Sequence, residues 1–316
     1  MRILITGGLG FIGGRLGRYL YQAGHQVILC SRNASIPPTW LPYVEVVKID
    51  WSDERSLQKV CSKVDVVIQA AGVNAQDCTI DPVAALEING LATARLLETA
   101  IHAGVGRFIY LSTAHVYGAP LVGTISEEVC PRNLHPYATS HFAGESVVLS
   151  AGQRGEIEGV VLRMSNAFGA PTHKDANCWM LLVNDLCRQA ITSQNLIMKS
   201  AGLQRRNFVT LQDVERAFSH IINLSKELIG NGVFNIGGAC SPRVIDMVEL
   251  IQTRCLEVLG FSPKIVRPEV TVDEVAFDLD FRIDKLLASG FKLSGNVDTE
   301  IDATLLFCRE AFGGSQ

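Results

Sequence analysis

Three glycines limit what this chain can fold into. The run Thr6-Gly7-Gly8-Leu9-Gly10-Phe11-Ile12-Gly13 places Gly7, Gly10 and Gly13 at three-residue intervals, directly after the short apolar segment Arg2–Thr6. Residues 13–23 carry Leu16 and Leu20 at helical spacing, and residues 26–30 are again apolar and partly β-branched. Strand, glycine turn, helix, second strand is the setting in which such glycines hold a dinucleotide. Gly7 permits the tight turn, Gly10 lets the backbone approach a pyrophosphate, and Gly13 lets the helix pack on the strand. Amides at the helix start, those of Phe11 and Ile12 among them, then face the negative phosphates.

The alternation continues beyond the loop. Residues 44–49, 65–69 and 108–111 are further short apolar runs, and residues 54–62 and 82–103 have helical patterns. Strands alternating with helices predict an α/β fold, a doubly wound parallel sheet with right-handed crossovers. From about Pro171 the alternation weakens. Residues 207–210 and 233–236 read as strands returning to the sheet, with 213–224 helical between them. The predicted division is a dinucleotide-binding domain over 1–170, with return segments at about 207–238. A smaller, discontinuous substrate-binding part comprises 171–206 and 239–316.

Composition removes several classes. With 47% hydrophobic and 19% charged residues, the chain is neither disordered nor a coiled coil. A net charge of −4 without basic blocks argues against nucleic acid as a partner. The nine cysteines are scattered without a C-x-x-C pair, as expected of free thiols in a reducing cytosol. There is no H-x-x-x-H or other ligand spacing, so no metal is expected. No apolar stretch reaches membrane-spanning length, and the first apolar run breaks at Gly7, so no membrane association and a cytoplasmic location are expected.

The second strand ends at Ser31-Arg32. An NAD site would place a carboxylate there to hold the ribose 2′-hydroxyl, whereas a hydroxyl and a guanidinium suit a 2′-phosphate. NADP is therefore favoured, with NAD still possible.

Further motifs follow in order. Lys48-Ile49-Asp50 resembles a G-D-[LI] strand end, Asp65–Gly72 resembles D-V-V-I-H-L-A-A, and Glu87-Ile88-Asn89-Gly90 resembles an N-V-x-G helix. Leu111-Ser112-Thr113-Ala114-His115-Val116-Tyr117-Gly118 resembles S-[ST]-x-x-V-Y-G, and residues 162–169 resemble L-R-x-x-N-V-Y-G. Arg206-Asn207-Phe208-Val209 with Asp213-Val214 resembles R-D-[FY]-[IV]-x-V-x-D-V, and Phe234-Asn235-Ile236-Gly237-Gly238 resembles Y-N-I-G-G. Together these resemble the extended short-chain dehydrogenase/reductase family, in particular its nucleotide-sugar epimerases and dehydratases.

The resemblance implies a Rossmann fold. It implies a cofactor bordered by Asp50, Trp51, Ala70, Ala71, Gly72, Asn89 and Ser112, and a nucleotide-sugar substrate contacted by Asn166 and Arg206. It also implies a homodimer joined through helices near 82–103 and 137–151. The family's chemistry uses a Tyr and a Lys four residues apart on one helix face, with a Ser or Thr bonding the reacting oxygen. Here Tyr137 and Thr113 match, Ser140 is in place, and the lysine position holds His141.

His141 opens two readings. In the first it still donates a hydrogen bond to the ribose and, when protonated, supplies a cation; its ordinary pKa of about 6.5 makes it charged part of the time. Tyr137 is then a weaker acid/base, and activity falls as His141 loses its proton. In the second the protein binds cofactor without turnover. Where the resembling 4,6-dehydratases carry Asp-Glu, this chain has Ala114 and His115, so elimination lacks its acid and base. Epimerisation and keto reduction both stay open, with Ala114 and His115 as substrate-contact candidates.

Overall fold

The computed structural model describes residues 1–32, 36–270 and 277–314. Its centre is a seven-stranded sheet built from β1 (Arg2–Thr6), β2 (Gln26–Ser31), β3 (Glu45–Lys48), β4 (Val66–Gln69), β5 (Arg107–Thr113), β6 (Glu158–Met164) and β7 (Val233–Ile236). The spatial order is β3-β2-β1-β4-β5-β6-β7, and every pair is parallel. The order reverses between β1 and β4, where an open α/β sheet leaves a crevice for a ligand. The long helices are α1 (Phe11–Gln22), α2 (Glu54–Cys61), α3 (Ala92–His102), α4 (Pro136–Gln153), α5 (Leu182–Ser193), α6 (Leu211–Asn223), α7 (Val244–Leu259) and α8 (Val297–Phe312).

Strand alternation builds two cores. Ile3, Ile5, Val27, Leu29, Ile68 and Ile109 pack on one face with Leu16 and Leu20 of α1 and Val214 and Phe218 of α6. Leu4, Ile28, Val67, Phe108 and Tyr110 pack on the other with Leu57 of α2, Leu96 of α3 and Val148 of α4. Both faces are dry, which is why the strands read as unbroken apolar runs. Each fully buried Leu or Ile side chain contributes about 2 kcal/mol. A third cluster lies outside the sheet, where α5, α7 and α8 pack Leu186, Val248, Ile251, Ile301 and Leu305 around Phe168 and Phe208.

Arg15 of α1 ties this periphery to the sheet. Its guanidinium bonds Glu215 of α6 at 2.6 Å, Glu300 of α8 at 3.0 Å and the Ala170 carbonyl at 2.8 Å.

Two expectations are corrected. Phe208–Thr210 does not return to the main sheet; it pairs in parallel with Asn166–Phe168 as a separate two-stranded ladder. Both edges of β6 are already taken by β5 and β7, and Phe208–Thr210 pairs instead with the chain that continues past Met164. The helix expected over 82–103 is interrupted: Pro82–Ala85 leads into a π-helical turn, Leu86–Leu91, before α3 begins.

Among the described residues, no helix is long and apolar enough to cross a membrane. Among them too, no group of His, Cys, Asp or Glu is placed to hold a metal ion.

Candidate active site

The glycine turn closes over β1 and β4. Gly7 has φ +62°, and a Cβ there would lie 2.9 Å from the Ala70 carbonyl oxygen. A Cβ on Gly13 would lie 2.3 Å from the Gly7 carbonyl oxygen, so α1 docks on the turn only with glycine at that position. The Gly10 amide donates to Gly7 O at 2.8 Å, and Gly10 caps α1 without a side-chain hydrogen bond. Thr6 Oγ1 accepts the amides of Ala70 at 3.1 Å and Ala71 at 3.0 Å, fixing the end of β4 beside the turn. The result is a cradle lined by backbone, the shape a pyrophosphate requires. At the carboxyl end of β6, Ser165 Oγ is buried without a hydrogen-bond partner. The residues present therefore fit a dinucleotide.

Tyr137 lies in the first turn of α4, where Pro136 starts the helix and His135 caps it. His135 Nδ1 accepts the Tyr137 amide at 3.1 Å. The phenol is half-buried beside Thr113, the last residue of β5, whose hydroxyl favours its ionised form. His141 stands one helical turn on, edge-on to Tyr137 with ring centroids 4.7 Å apart. The His115 ring also approaches the phenol, with centroids 6.4 Å apart. Strand end and helix face thus bring Thr113, Tyr137 and His141 together. Gly72 joins them: a Cβ there would be 3.8 Å from His141 Nε2.

The surroundings of His141 run against a partly protonated imidazole. The residue is 7% exposed, and burial pushes its imidazole down to about 4. Desolvation penalises the charged form, and no carboxylate offsets it. Burial thus favours the neutral imidazole. Its Nδ1 is 3.0 Å from Tyr110 Oη, and that hydroxyl is also 3.1 Å from the Asn89 carbonyl oxygen. Burial raises the Tyr137 phenol above its ordinary range, with the Thr113 hydrogen bond opposing.

Other predicted residues have internal partners. Asn89 Oδ1 accepts the Val73 amide at 3.0 Å, and its Nδ2 donates to Ser140 Oγ at 2.9 Å. The Ser112 hydroxyl donates to the buried Glu145 carboxylate, itself paired with Arg163 at 2.7 Å. Asp50 is exposed and turns its carboxylate onto Ser52, whose hydroxyl and amide hold it below the usual carboxylate range. Trp51 is half-buried and its carbonyl accepts Arg95. Ser31 closes β2, and Arg32 is exposed beyond it. Asn166 Nδ2 donates to the Asn207 carbonyl at 2.8 Å. Ala114 is buried in a small cluster with Tyr117 and Phe281. His115 is pushed down by burial, then by the Arg206 cation and by His135. Arg206 thus lies close enough to His115 for its charge to be felt.

Two features were missed in the sequence. Tyr110 lies in an apolar strand run and reads as core, although its hydroxyl is the partner of His141. The Pro171–His173 stretch reaches the glycine turn: His173 Nε2 donates to the Leu9 carbonyl at 2.8 Å, and its ring stacks on Trp40. Nothing in the local sequence pattern signals either contact.

With the fold and site described, comparison places the molecule among dinucleotide-dependent enzymes. The profile of the NAD dependent epimerase/dehydratase family matches residues 3–237. The chain belongs to that family, the extended short-chain dehydrogenase/reductase group. A putative UDP-glucose 4-epimerase of Methanocaldococcus jannaschii is 28% identical over 79% of this chain and 81% of its own length. GDP-6-deoxy-D-mannose reductase of Pseudomonas aeruginosa is 28% identical over 79% of each chain. Among solved structures, RMD from Pseudomonas aeruginosa complexed with NADPH has a TM-score of 0.78 at 23% identity, covering 98% of this chain and 99% of its own. UDP-glucuronic acid 4-epimerase from Bacillus cereus with NAD has a TM-score of 0.80 at 23% identity, covering 100% and 99%.

Proposed function

We propose that this chain is an NAD(P)-dependent nucleotide-sugar epimerase or ketoreductase in which Tyr137 is the acid/base. The observation that carries this reading is the Tyr137 phenol, joined to Thr113 at the end of β5 and set at the sheet's ligand crevice with the glycine cradle. Thr113 anchors the reacting oxygen, and His141 positions the nicotinamide ribose. The bound nicotinamide supplies or accepts a hydride; proton transfer falls to Tyr137. Arg206, beside His115, takes the sugar-nucleotide phosphates, since a guanidinium fork matches their oxygens. Asn166 sits near by at the carboxyl side of the sheet. NADP is favoured because Ser31 and Arg32 replace a ribose-binding carboxylate.

The test is direct. Purified protein is titrated with NADPH and NADH, then incubated with a panel of nucleotide sugars and their keto forms. Turnover that falls on Tyr137→Phe and on Arg206→Ala supports the reading. Turnover that survives Arg206→Ala points to a carbonyl substrate without a nucleotide. A neutral His141 favours one alternative, a silent cofactor-binding protein: cofactor binds, and neither the natural chain nor His141→Lys turns over any sugar.

Exposed Val83, Leu86, Leu91 and Phe142 on the 82–103 segment and α4 support a homodimer through those helices.

A further inference from the structure

We infer that His135 is a positioning residue for Tyr137: one imidazole caps α4 and clamps the short Ala75–Ile80 helix to it, so that the phenol and the segment beside it hold one geometry. The inference rests on the proposed function, in which Tyr137 is the acid/base, and adds a residue that acts through it.

Capping alone does not call for histidine. The first amides of a helix need an acceptor, and Ser, Thr, Asp or Asn supply it with a shorter side chain. His135 fills that role through Nδ1, which accepts the Tyr137 amide at 3.1 Å. What an imidazole adds is a second ring nitrogen. Nε2 of His135 lies 3.0 Å from Thr79 Oγ1, on another element.

The partners place the protons. An amide only donates, so Nδ1 is the acceptor and the neutral ring carries its proton on Nε2. Thr79 Oγ1 donates to the Ala75 carbonyl at 3.0 Å, within its own helix. The hydroxyl proton is thus committed, and Oγ1 accepts from Nε2–H. Tyr137 amide, His135 ring, Thr79 hydroxyl and Ala75 carbonyl form one chain of donors running in one direction.

A second tie holds the other end of the segment. Asn89 Oδ1 accepts the Val73 amide at 3.0 Å, and Asn89 Nδ2 donates to Ser140 Oγ at 2.9 Å, one turn beyond Tyr137 on α4. Residues 73–80 are therefore fastened to α4 at both ends. Between the ties, the Cys78 thiol is buried and close enough to the Tyr137 phenol to bear on its ionisation. The segment leaves the carboxyl end of β4, the side of an open α/β sheet on which ligands bind. Asn133 steadies the clamp: its Oδ1 accepts the His135 amide at 3.0 Å and its Nδ2 donates to the His115 carbonyl at 2.8 Å. His115 lies just past Thr113, so the cap is tied to the end of β5 as well. His135 and Thr79 are both exposed, and either side chain can be replaced without opening the core.

Three variants separate the clamp from the cap. His135→Asn keeps a capping acceptor but is too short to reach Thr79. Thr79→Val removes the same link from the other side, and His135→Ala removes link and cap together. Hydrogen–deuterium exchange reads the structure without turnover. Residues 73–80 should exchange about fivefold faster in all three variants, and the Tyr137 amide faster in His135→Ala alone. Nitrogen NMR of the wild-type histidines, with the His135 signal identified by its loss in His135→Asn, should place the proton on Nε2. In kinetics with the nucleotide sugar turned over best, His135→Asn and Thr79→Val should each lower kcat by about three- to tenfold. The NADPH dissociation constant should stay within about twofold, and the two changes combined should lose no more than either alone. Full wild-type kcat in His135→Asn means that only the cap matters and overturns the inference. A proton on Nδ1, or unchanged exchange over residues 73–80, overturns it too. A chain that binds cofactor and turns over no sugar sinks the proposed function instead, while exchange and the tautomer still decide whether the clamp exists.

Discussion

The imidazole of His141 stands edge-on to the phenol of Tyr137, ring centroids 4.7 Å apart, with its Nδ1 bonded to Tyr110 on the strand behind. The i, i+4 spacing on α4 puts both side chains on one helix face, and the floor beneath them, β5, keeps the imidazole buried. That floor is the source of the site's predicted behaviour.

Removing the phenolic oxygen should stop the chemistry and spare the binding. Tyr137→Phe is expected to lower kcat by about 100-fold or more, while the NADPH dissociation constant from fluorescence titration changes less than about threefold. Thr113→Val should lower kcat by a smaller factor, since it removes one hydrogen bond to the phenol.

His141 should make stability depend on pH. Its folded value is about 4, against about 6.5 in the unfolded chain. Above pH 6.5 neither state binds the proton, and the stability is fully present. Between pH 6.5 and 4 the unfolded chain alone takes it up, so stability falls as pH falls, by about 3 kcal/mol in total. Urea unfolding at pH 7.5 and 4.5 should show a steeper loss for the wild type than for His141→Gln; equal losses would remove His141 as the cause.

The glycine cradle gives a local prediction. Gly13→Ala would place a methyl 2.3 Å from the Gly7 carbonyl oxygen, forcing α1 away from the turn. Cofactor affinity should fall by about tenfold or more, roughly 1.4 kcal/mol or above. Isothermal titration with NADPH measures it.

Arg15 holds two buried carboxylates, Glu215 and Glu300, across three helices. Arg15→Met would leave both without their partner, at a cost of about 3–5 kcal/mol. Chemical denaturation should register that loss. Arg15→Met combined with Glu215→Gln and Glu300→Gln should recover part of it, because no unpaired charge remains.

The apolar face of the 82–103 segment and α4 predicts the oligomer. Phe142 is 41% exposed and Leu86 50% exposed. Light scattering should give a dimer for the natural chain and a monomer for Phe142→Glu with Leu86→Glu. A natural chain that is already monomeric would remove the dimer.

Much of the fold could be read from local pattern. Buried parallel strands produce uninterrupted apolar runs, and Gly7 and Gly13 are needed where backbone meets backbone. The pairing of Phe208–Thr210 with Asn166–Phe168 is not legible in strand propensity, which does not say which partner a strand takes. The π-helical turn at Leu86–Leu91 is equally silent in sequence, since its residues keep ordinary helical character.

By itself, the sequence determined the doubly wound sheet, the glycine turn, the Tyr137–His141 spacing and the absence of lysine at position 141. These follow from periodicity and residue type, which act over a few neighbours. The burial of His141 came from the tertiary structure alone. A histidine's protonation depends on how much water surrounds it, and here burial against β5, beside Tyr110 31 residues away along the chain, removes that water.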